Sequence, residues 1–158
     1  MGNGKSLFVI GDAMFRYAVH RPLPFAVEDV FDMVADVESY PEFVPGWMTA
    51  RVIARTDNTY GTDQTVRMRF LRQTFRTLTT LTPYEAIDVT ASQPPFRRLN
   101  ILWRFRRQEN GSFVSLEFLC EMRSRTLQAL LNRFGPDDVE AMITAFEHRA
   151  REILPRRA

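Results

Sequence analysis

The middle of this chain, residues 47–123, alternates apolar and polar side chains in segments that are separated by short turn sequences. Alternation with a period of two is typical of β-strands that bury one face, and short connections join strands that run antiparallel. The sequence therefore predicts an antiparallel meander with one apolar face. Its six predicted strands span 47–57, 62–71, 73–82, 85–92, 99–108 and 112–123.

An apolar sheet face needs a cover, and the C-terminal segment has the spacing of an amphipathic helix. The apolar residues at that spacing are Val139, Met142, Ile143, Phe146, Ala150 and Ile153. A second helical stretch runs from Leu127 to Phe134, and Gly135-Pro136 separates the two. Because proline lacks an N–H and its ring clashes with the preceding turn, we expect a break or kink at this dipeptide.

One strand and two short helices are predicted before the meander. The strand spans 15–21, and apolar residues from Val27 onward follow it at helical spacing. Ser39 is expected to cap a second helical turn, with Glu42 at the distance of a capping box. The fold class is therefore α+β, with an antiparallel sheet of about seven strands wrapped around a long C-terminal helix.

Length and composition fit one domain. The chain has 158 residues, of which 45% are hydrophobic, enough for one sizeable core but not for a second domain of usual size. We assign the domain to residues 13–154 and regard 1–12 and 155–158 as flexible termini. No apolar run reaches the ~20 residues of a membrane-spanning helix. The single cysteine, Cys120, allows no internal disulfide, so a cytoplasmic location is expected.

The segment 40–47 combines three aromatic residues with two prolines. Each proline restricts its own backbone and that of the preceding residue, so the segment is stiff. A stiff apolar corner is typical either of a lid or cavity wall or of an ordinary core contact, and the sequence leaves both interpretations open.

Residues that could support catalysis are few. The two histidines, His20 and His148, have no serine, cysteine or carboxylate partner at a defined spacing. Glu117 and Glu121 share one strand face and are interpreted as surface ion-pairing groups. No group of His, Cys or carboxylate residues has the spacing of metal ligands. The sequence therefore predicts neither catalytic residues nor a metal site.

Three motifs, at residues 36–45, 95–105 and 145–151, resemble the coenzyme Q-binding START-domain family of the polyketide cyclase/START-like superfamily. The resemblance runs from about residue 15 to about residue 153. A related branch, named for inhibiting ribosome association as a bacterial toxin, shares the motifs. Arg69 stands where the family often has glycine. The resemblance implies a helix-grip fold, with two short helices after the first strand.

The resemblance also implies a non-catalytic carrier that holds a polyprenylated, ubiquinone-like lipid between the sheet and the terminal helix. Such a protein would support respiratory electron transport or quinone biosynthesis, with peripheral contact to the inner membrane of a bacterium. Its headgroup would need a donor, for which Arg76, Thr77 and Tyr84 are alternatives. The predicted ligand-binding residues are Phe43, Val44, Trp47, Phe70, Phe75, Trp103, Phe118, Met142 and Phe146.

Two alternatives come from other functional classes. The net charge of +2 is too small to indicate DNA binding, but all basic residues except Lys5 are arginines. Arginines in the strand at 99–108 and just before it could contact anionic headgroups or RNA. These are Arg97, Arg98, Arg104, Arg106 and Arg107. A ribosome-associating protein would require the contact with ribosomal RNA phosphates. The other alternative is a polyketide cyclase, which would need catalytic groups that the sequence does not reveal.

Overall fold

The structure is a computed structural model that describes residues 4–6, 14–69 and 71–156. Its helices are α1 (Val27–Ala35), a 3₁₀ helix (Val37–Glu42) and the long α2 (Arg125–Ile153). The strands are β1 (Gly4–Ser6), β2 (Phe15–Leu23), β3 (Trp47–Arg55), β4 (Thr59–Met68), β5 (Leu71–Thr82), β6 (Ala86–Ala91), β7 (Phe96–Gln108) and β8 (Gly111–Met122).

All strands belong to one antiparallel sheet with the order β1-β2-β8-β7-β6-β5-β4-β3. Strands β3 to β8 form the predicted meander, and β2 joins its last strand. The sheet wraps around α2, which confirms the predicted α+β, helix-grip class. The short β1 pairs with β2 and was not predicted, because three residues carry no detectable alternation.

The first connection of the meander is shorter than predicted. Instead of a loop over 58–61, β4 begins at Thr59. The Thr56 N–H donates to the Thr59 carbonyl at 2.8 Å and closes a tight turn. Tyr60, only 3% exposed, can then enter the sheet, because its phenol packs inside the fold.

The predicted break at Gly135-Pro136 is wrong, since α2 continues through both residues. Proline costs one backbone hydrogen bond, but the buried face of the helix continues on both sides of it, through Leu131 and Val139. Gly135 has a packing role instead. A Cβ atom at this position would lie 2.6 Å from Cζ of Phe15, so glycine permits the close contact of α2 with β2.

The predicted cap at Ser39 is also wrong. Ser39 lies inside the 3₁₀ helix, whose N-cap position is Asp36, and its hydroxyl donates to the Asp36 carboxylate at 2.6 Å. Glu42 does not complete a capping box, because its carboxylate pairs with Arg149 of α2 at 3.0 Å. The long-range ion pair has replaced the local contact.

A buried polar cluster fastens α2 to β2. Arg21, 5% exposed, lies 3.0 Å from Glu140 and 3.2 Å from Glu147. The Tyr17 hydroxyl donates to the other oxygen of Glu140 at 2.6 Å. Buried charges are tolerated when they are paired and hydrogen-bonded in this way. The cluster holds one side of α2 against β2. The other side of α2 faces the inner surface of strands β3 to β6.

Candidate functional site

A cavity of about 360 Å³ lies between the inner face of the sheet and α2. Its walls come from β3 to β8, from the 3₁₀ helix and from one side of α2. Most of the lining is aliphatic or aromatic, with polar groups concentrated on β4 and β5. The central lining residues are Tyr40, Trp47, Tyr60, Gln64, Phe75, Thr77, Thr79, Ile87, Trp103, Phe118, Cys120, Met142 and Phe146.

Most of the predicted ligand-binding residues lie around this cavity. Those that line it are Trp47, Phe75, Trp103, Phe118, Met142 and Phe146. Phe43 and Val44 are not among the lining residues: Val44 is buried in the core, and the Phe43 ring packs on Phe146 at 5.1 Å. Phe70 lies outside the described residues. Ligand contact by any member of this set stays a prediction.

Phe146 joins the 40–47 corner to the sheet. Its ring centroid lies 5.1 Å from that of Tyr40 and 5.0 Å from that of Trp103, with edge-to-face geometry in both pairs. The Tyr40 hydroxyl donates to the Val34 carbonyl, which fixes the corner to the end of α1. Of the two interpretations of this segment, the packing therefore favours a cavity wall.

A polar chain crosses the inner face of β3, β4 and β5. The Trp47 Nε1–H donates to Gln64 Oε1 at 2.8 Å, and Gln64 Nε2 donates to Thr77 Oγ1 at 2.9 Å. Gln64 and Thr77 are 5% and 3% exposed. Thr77 keeps one lone pair and its O–H, and Gln64 keeps its second N–H, beside the cavity that both residues line. These groups could hydrogen-bond a carbonyl or hydroxyl of a bound molecule.

Tyr60 and Thr79 extend this polar region. The Tyr60 hydroxyl donates to the Ala35 carbonyl at 2.7 Å. Burial raises the pKa of Tyr60 to about 12, so its phenol is neutral at ordinary pH. Next to it, Thr62 Oγ1 is buried and has no hydrogen-bond partner in the described part of the chain. The inner face of β4 therefore carries a polar atom, Thr62 Oγ1, that its described neighbours do not hydrogen-bond.

The sequence interpretation found only part of this polar region. Of the three alternative headgroup donors, Thr77 lines the cavity, whereas Arg76 faces the opposite side and pairs with Asp63 at 2.7 Å. Tyr84 is 43% exposed, outside the cavity. Gln64 was missed, although it lies two residues before Val66, an apolar residue that alternates with Arg67 and therefore belongs to the buried face of the predicted strand. Continuing the alternation from Val66 back along β4 would have placed Gln64 on the inner face.

The cavity reaches solvent beside the β4–β5 turn. Its exposed lining residues include Gly46, Arg67, Arg69 and Ala141. Gly46 has φ +87°, and a Cβ there would lie 2.5 Å from the Arg67 carbonyl oxygen, so this corner and the turn are in close contact. We define the opening as the gap between this contact and the middle of α2.

Arg69 crosses the opening. Its guanidinium lies 3.8 Å from the centroid of the Phe134 ring and pairs with Asp138 at 3.3 Å. Both partners belong to α2, so one side chain connects the β4–β5 turn to the helix. Arg69 has φ 57°, a left-handed conformation that is uncommon for a residue other than glycine. The contact closes part of the gap with a flexible side chain.

Among the described residues, Cys120 and the two histidines do not meet at the cavity. Cys120 lines the cavity, but burial raises the pKa of its thiol to about 12, which keeps it protonated. Neither His20 nor His148 lines the cavity. Glu121 pairs with Arg97 at 3.3 Å, as the surface interpretation predicted. In residues 4–6, 14–69 and 71–156, no three His, Cys, Asp or Glu side chains are grouped so as to hold a metal ion.

A curved antiparallel sheet that encloses an apolar cavity against one long helix is the architecture of START-like proteins. A structure described as a START superfamily protein from Mycobacterium smegmatis shares this fold, with a TM-score of 0.74 and 16% identity over 89% of this chain and 99% of that chain. The family model described as polyketide cyclase / dehydrase and lipid transport matches residues 23–147. The chain belongs to that family.

Three relatives connect the chain to named proteins. The ribosome association toxin RatA of Rickettsia prowazekii is 29% identical over 89% of this chain and 99% of its own length. The mitochondrial coenzyme Q-binding protein COQ10 homolog B of Xenopus laevis is 24% identical over 94% of this chain and 63% of its own length. An 18 kDa protein of Caulobacter crescentus, solved in solution, is 32% identical, with a TM-score of 0.69, over 87% of this chain and 97% of that chain.

Proposed function

We propose that this protein is a non-catalytic carrier that holds a polyprenylated quinone or a related lipid in the cavity between the sheet and α2. The observation that carries the proposal is the cavity itself, about 360 Å³ in volume, with apolar walls and a polar chain on one side. This volume lies in the range of small-molecule sites. A similar protein carries the name coenzyme Q-binding.

The apolar walls suit an isoprenoid tail, which needs contact area and no directed hydrogen bonds. Burial of apolar carbon is worth about 0.8 kcal/mol per CH₂ group, so a few isoprene units provide useful affinity. Phe75, Trp103 and Phe118 offer rigid surface, and Met142 offers an adaptable one. Such walls select for an apolar chain without fixing its length.

The polar chain suits the quinone ring. Its carbonyl and ether oxygens only accept hydrogen bonds, whereas Gln64 Nε2 carries a second N–H beyond the one donated to Thr77. A hydrogen bond from this donor, in a site with little water, orients the quinone ring and adds a modest net binding free energy. We place the ring beside Gln64 and the tail toward Phe118 and Met142.

The test is native mass spectrometry, with organic extraction, of protein purified from a quinone-producing host. Near-stoichiometric quinone in the folded protein is the expected result, and the mass of the ligand gives the tail length directly. A folded protein that carries no quinone and takes up none in detergent would contradict the proposal.

Ribosome association is a second candidate, favoured by a different observation. The outer face of the sheet carries arginines without ion-pair partners among the described residues, including Arg98 and Arg104 on β7. The name of the Rickettsia relative refers to ribosome association. Arginine contacts with RNA phosphates weaken steeply as salt rises, whereas burial of an isoprenoid tail does not. Co-sedimentation with the large ribosomal subunit over a salt series would detect such contacts.

The likeness to solved aromatase/cyclases concerns the fold. The Streptomyces cyclase of similar structure is 14% identical, with a TM-score of 0.75 over 88% of this chain. No pairing of a nucleophile with a base supports turnover at the cavity in the described part of the chain. The carrier proposal places the protein in the cytoplasm with access to the inner membrane. In the described residues, no helix has the length and apolar character needed to cross a bilayer.

A further inference from the structure

The β4–β5 hairpin carries an unusual pair of like charges at its tip. Arg67 and Arg72 are direct cross-strand partners in the register of the two strands, and both are exposed on the outer face. Directly opposite side chains lie about 5 Å apart at their Cβ atoms, so two positive charges there destabilise the hairpin. Neither arginine has an ion-pair partner in the described part of the chain.

The next rows of the hairpin do not relieve this repulsion. Thr65 and Thr74 follow, with their hydroxyls 3.0 Å apart. Asp63, the acid of the row after that, is already paired with Arg76 at 2.7 Å. The charges of Arg67 and Arg72 are therefore left for an anion outside the chain, which would turn the repulsion into binding energy.

The position of the arginine pair indicates which kind of anion it binds. Arg67 of the pair and the nearby Arg69 are among the residues around the opening of the cavity. Arg72 is not a lining residue but lies directly across the hairpin from Arg67. The other side of the gap is formed by α2. There, Leu127, Leu130 and Phe134 are half-buried and line the same cavity. Basic residues beside apolar residues, around the entrance of an apolar cavity, match a bilayer with anionic headgroups. Binding of RNA would use the positive charges, but it would not use the apolar residues of α2 or the opening of the cavity.

We propose that Arg67 and Arg72, the anion-binding pair at the end of the β4–β5 hairpin, dock on an anionic lipid surface so that the opening faces the bilayer. The inference rests on the proposed carrier function, because it names the membrane from which the lipid enters. In the docked state the phosphates neutralise the arginine pair. The lipid then passes between Arg69 and the half-buried residues of α2 without crossing water.

The test compares two double variants with equal loss of charge. Arg67→Gln/Arg72→Gln removes the pair, and Arg98→Gln/Arg104→Gln removes two exposed arginines of β7 from the same face, away from the opening. Vesicle flotation is measured with phosphatidylcholine alone and with added phosphatidylglycerol. Bound quinone is quantified by extraction from the same preparations, and thermal unfolding confirms that each variant folds.

Binding to the anionic vesicles is expected to fall about 30-fold in the hairpin variant, since two basic charges near an anionic surface contribute this much. The β7 variant should keep most of the vesicle binding and the quinone content of the wild type. An equal loss in both variants, or no binding by the wild type, would overturn the inference while leaving the carrier function intact. The wild type could also float with anionic vesicles, lose this binding in the hairpin variant and yet hold no quinone. That result would support the docking surface and contradict the carrier function.

Ribosomal RNA at low salt provides the remaining comparison. A hairpin variant that loses affinity for RNA but floats with vesicles as the wild type does would show that the pair contacts nucleic acid, and the inference would be wrong.

Discussion

The indole nitrogen of Trp47 donates a hydrogen bond to the side-chain oxygen of Gln64 at 2.8 Å, inside a cavity that is otherwise mostly apolar. The two residues lie on neighbouring strands, and the amide of Gln64 continues the chain to Thr77. A glutamine that is 5% exposed must satisfy several polar atoms within the protein or with a ligand. This pair defines the polar end of the candidate site.

Replacing Gln64 by leucine should leave the Trp47 N–H and the Thr77 hydroxyl without their partner. We expect the free energy of unfolding to fall by about 1–3 kcal/mol, the cost of buried unsatisfied groups. Quinone affinity should fall, while affinity for an isoprenoid hydrocarbon of equal length stays the same. Urea denaturation and quenching of tryptophan fluorescence measure the two effects. Gln73→Leu is the control, since Gln73 lines the cavity near the opening, where water can replace its contacts.

Removing the ring of Phe146 should separate ligand binding from stability. Phe146→Ala deletes the aromatic hub of the cavity wall and should cost about 3–5 kcal/mol together with most quinone binding. Phe31→Ala is a matched control, because Phe31 is also buried, at 4% exposure, but does not line the cavity. Similar loss of stability with retained quinone is expected for the control. Equal quinone content in both folded variants would remove Phe146 from the site.

Arg69→Ala should accelerate exchange of the bound lipid. The substitution removes both the ion pair with Asp138 and the contact with Phe134, so one side chain no longer restricts the opening. We expect faster transfer of quinone from the protein to acceptor vesicles, with little change in the equilibrium amount bound. Stopped-flow transfer to vesicles that contain a quencher measures the rate. An unchanged rate would show that Arg69 does not restrict passage.

Gly135→Ala should destabilise the protein, although alanine favours helices by about 1 kcal/mol over glycine. The new methyl group would lie 2.6 Å from the Phe15 ring, and overpacking of this kind costs about 1–3 kcal/mol. Denaturant unfolding measures whether the free energy of unfolding rises or falls. Adding Phe15→Leu should restore part of the loss in a double-mutant cycle, whereas a stabilised single variant would contradict the close contact.

Stability should decline with alkaline pH through Tyr60. Because burial raises its pKa from 10.0 to about 12, the phenol ionises in the unfolded chain first. The protonated form favours folding fully below pH 10, and this contribution is lost as the pH rises from about 10 to about 12. In that window, Tyr60→Phe should reduce the slope of unfolding free energy against pH by up to about 1.4 kcal/mol per unit. Urea denaturation at several pH values tests this, and equal slopes would contradict it.

The sequence by itself determined the elements and their layers. Alternation at positions such as 99–105 gave the strand period and the buried face, which the structure confirms through Leu99, Trp103 and Phe105. The spacing of Val139, Met142 and Phe146 likewise predicted the helix that covers the sheet. These signals are local, because strand and helix periods repeat within a few residues, and a buried face has to be apolar along its whole length.

Only the tertiary structure decided what the local signals left open. Gly135-Pro136 reads as a helix break in isolation, but contact with Phe15 and burial on both sides outweigh the lost hydrogen bond. Gln64 acquires its role from the packing of β3, β4 and β5, which brings Trp47 and Thr77 to its amide. The opening likewise depends on Arg69 meeting Asp138 of α2, which lies 69 residues later in the chain. Such contacts join distant segments, and the spacing of residues along one segment carries no information about them.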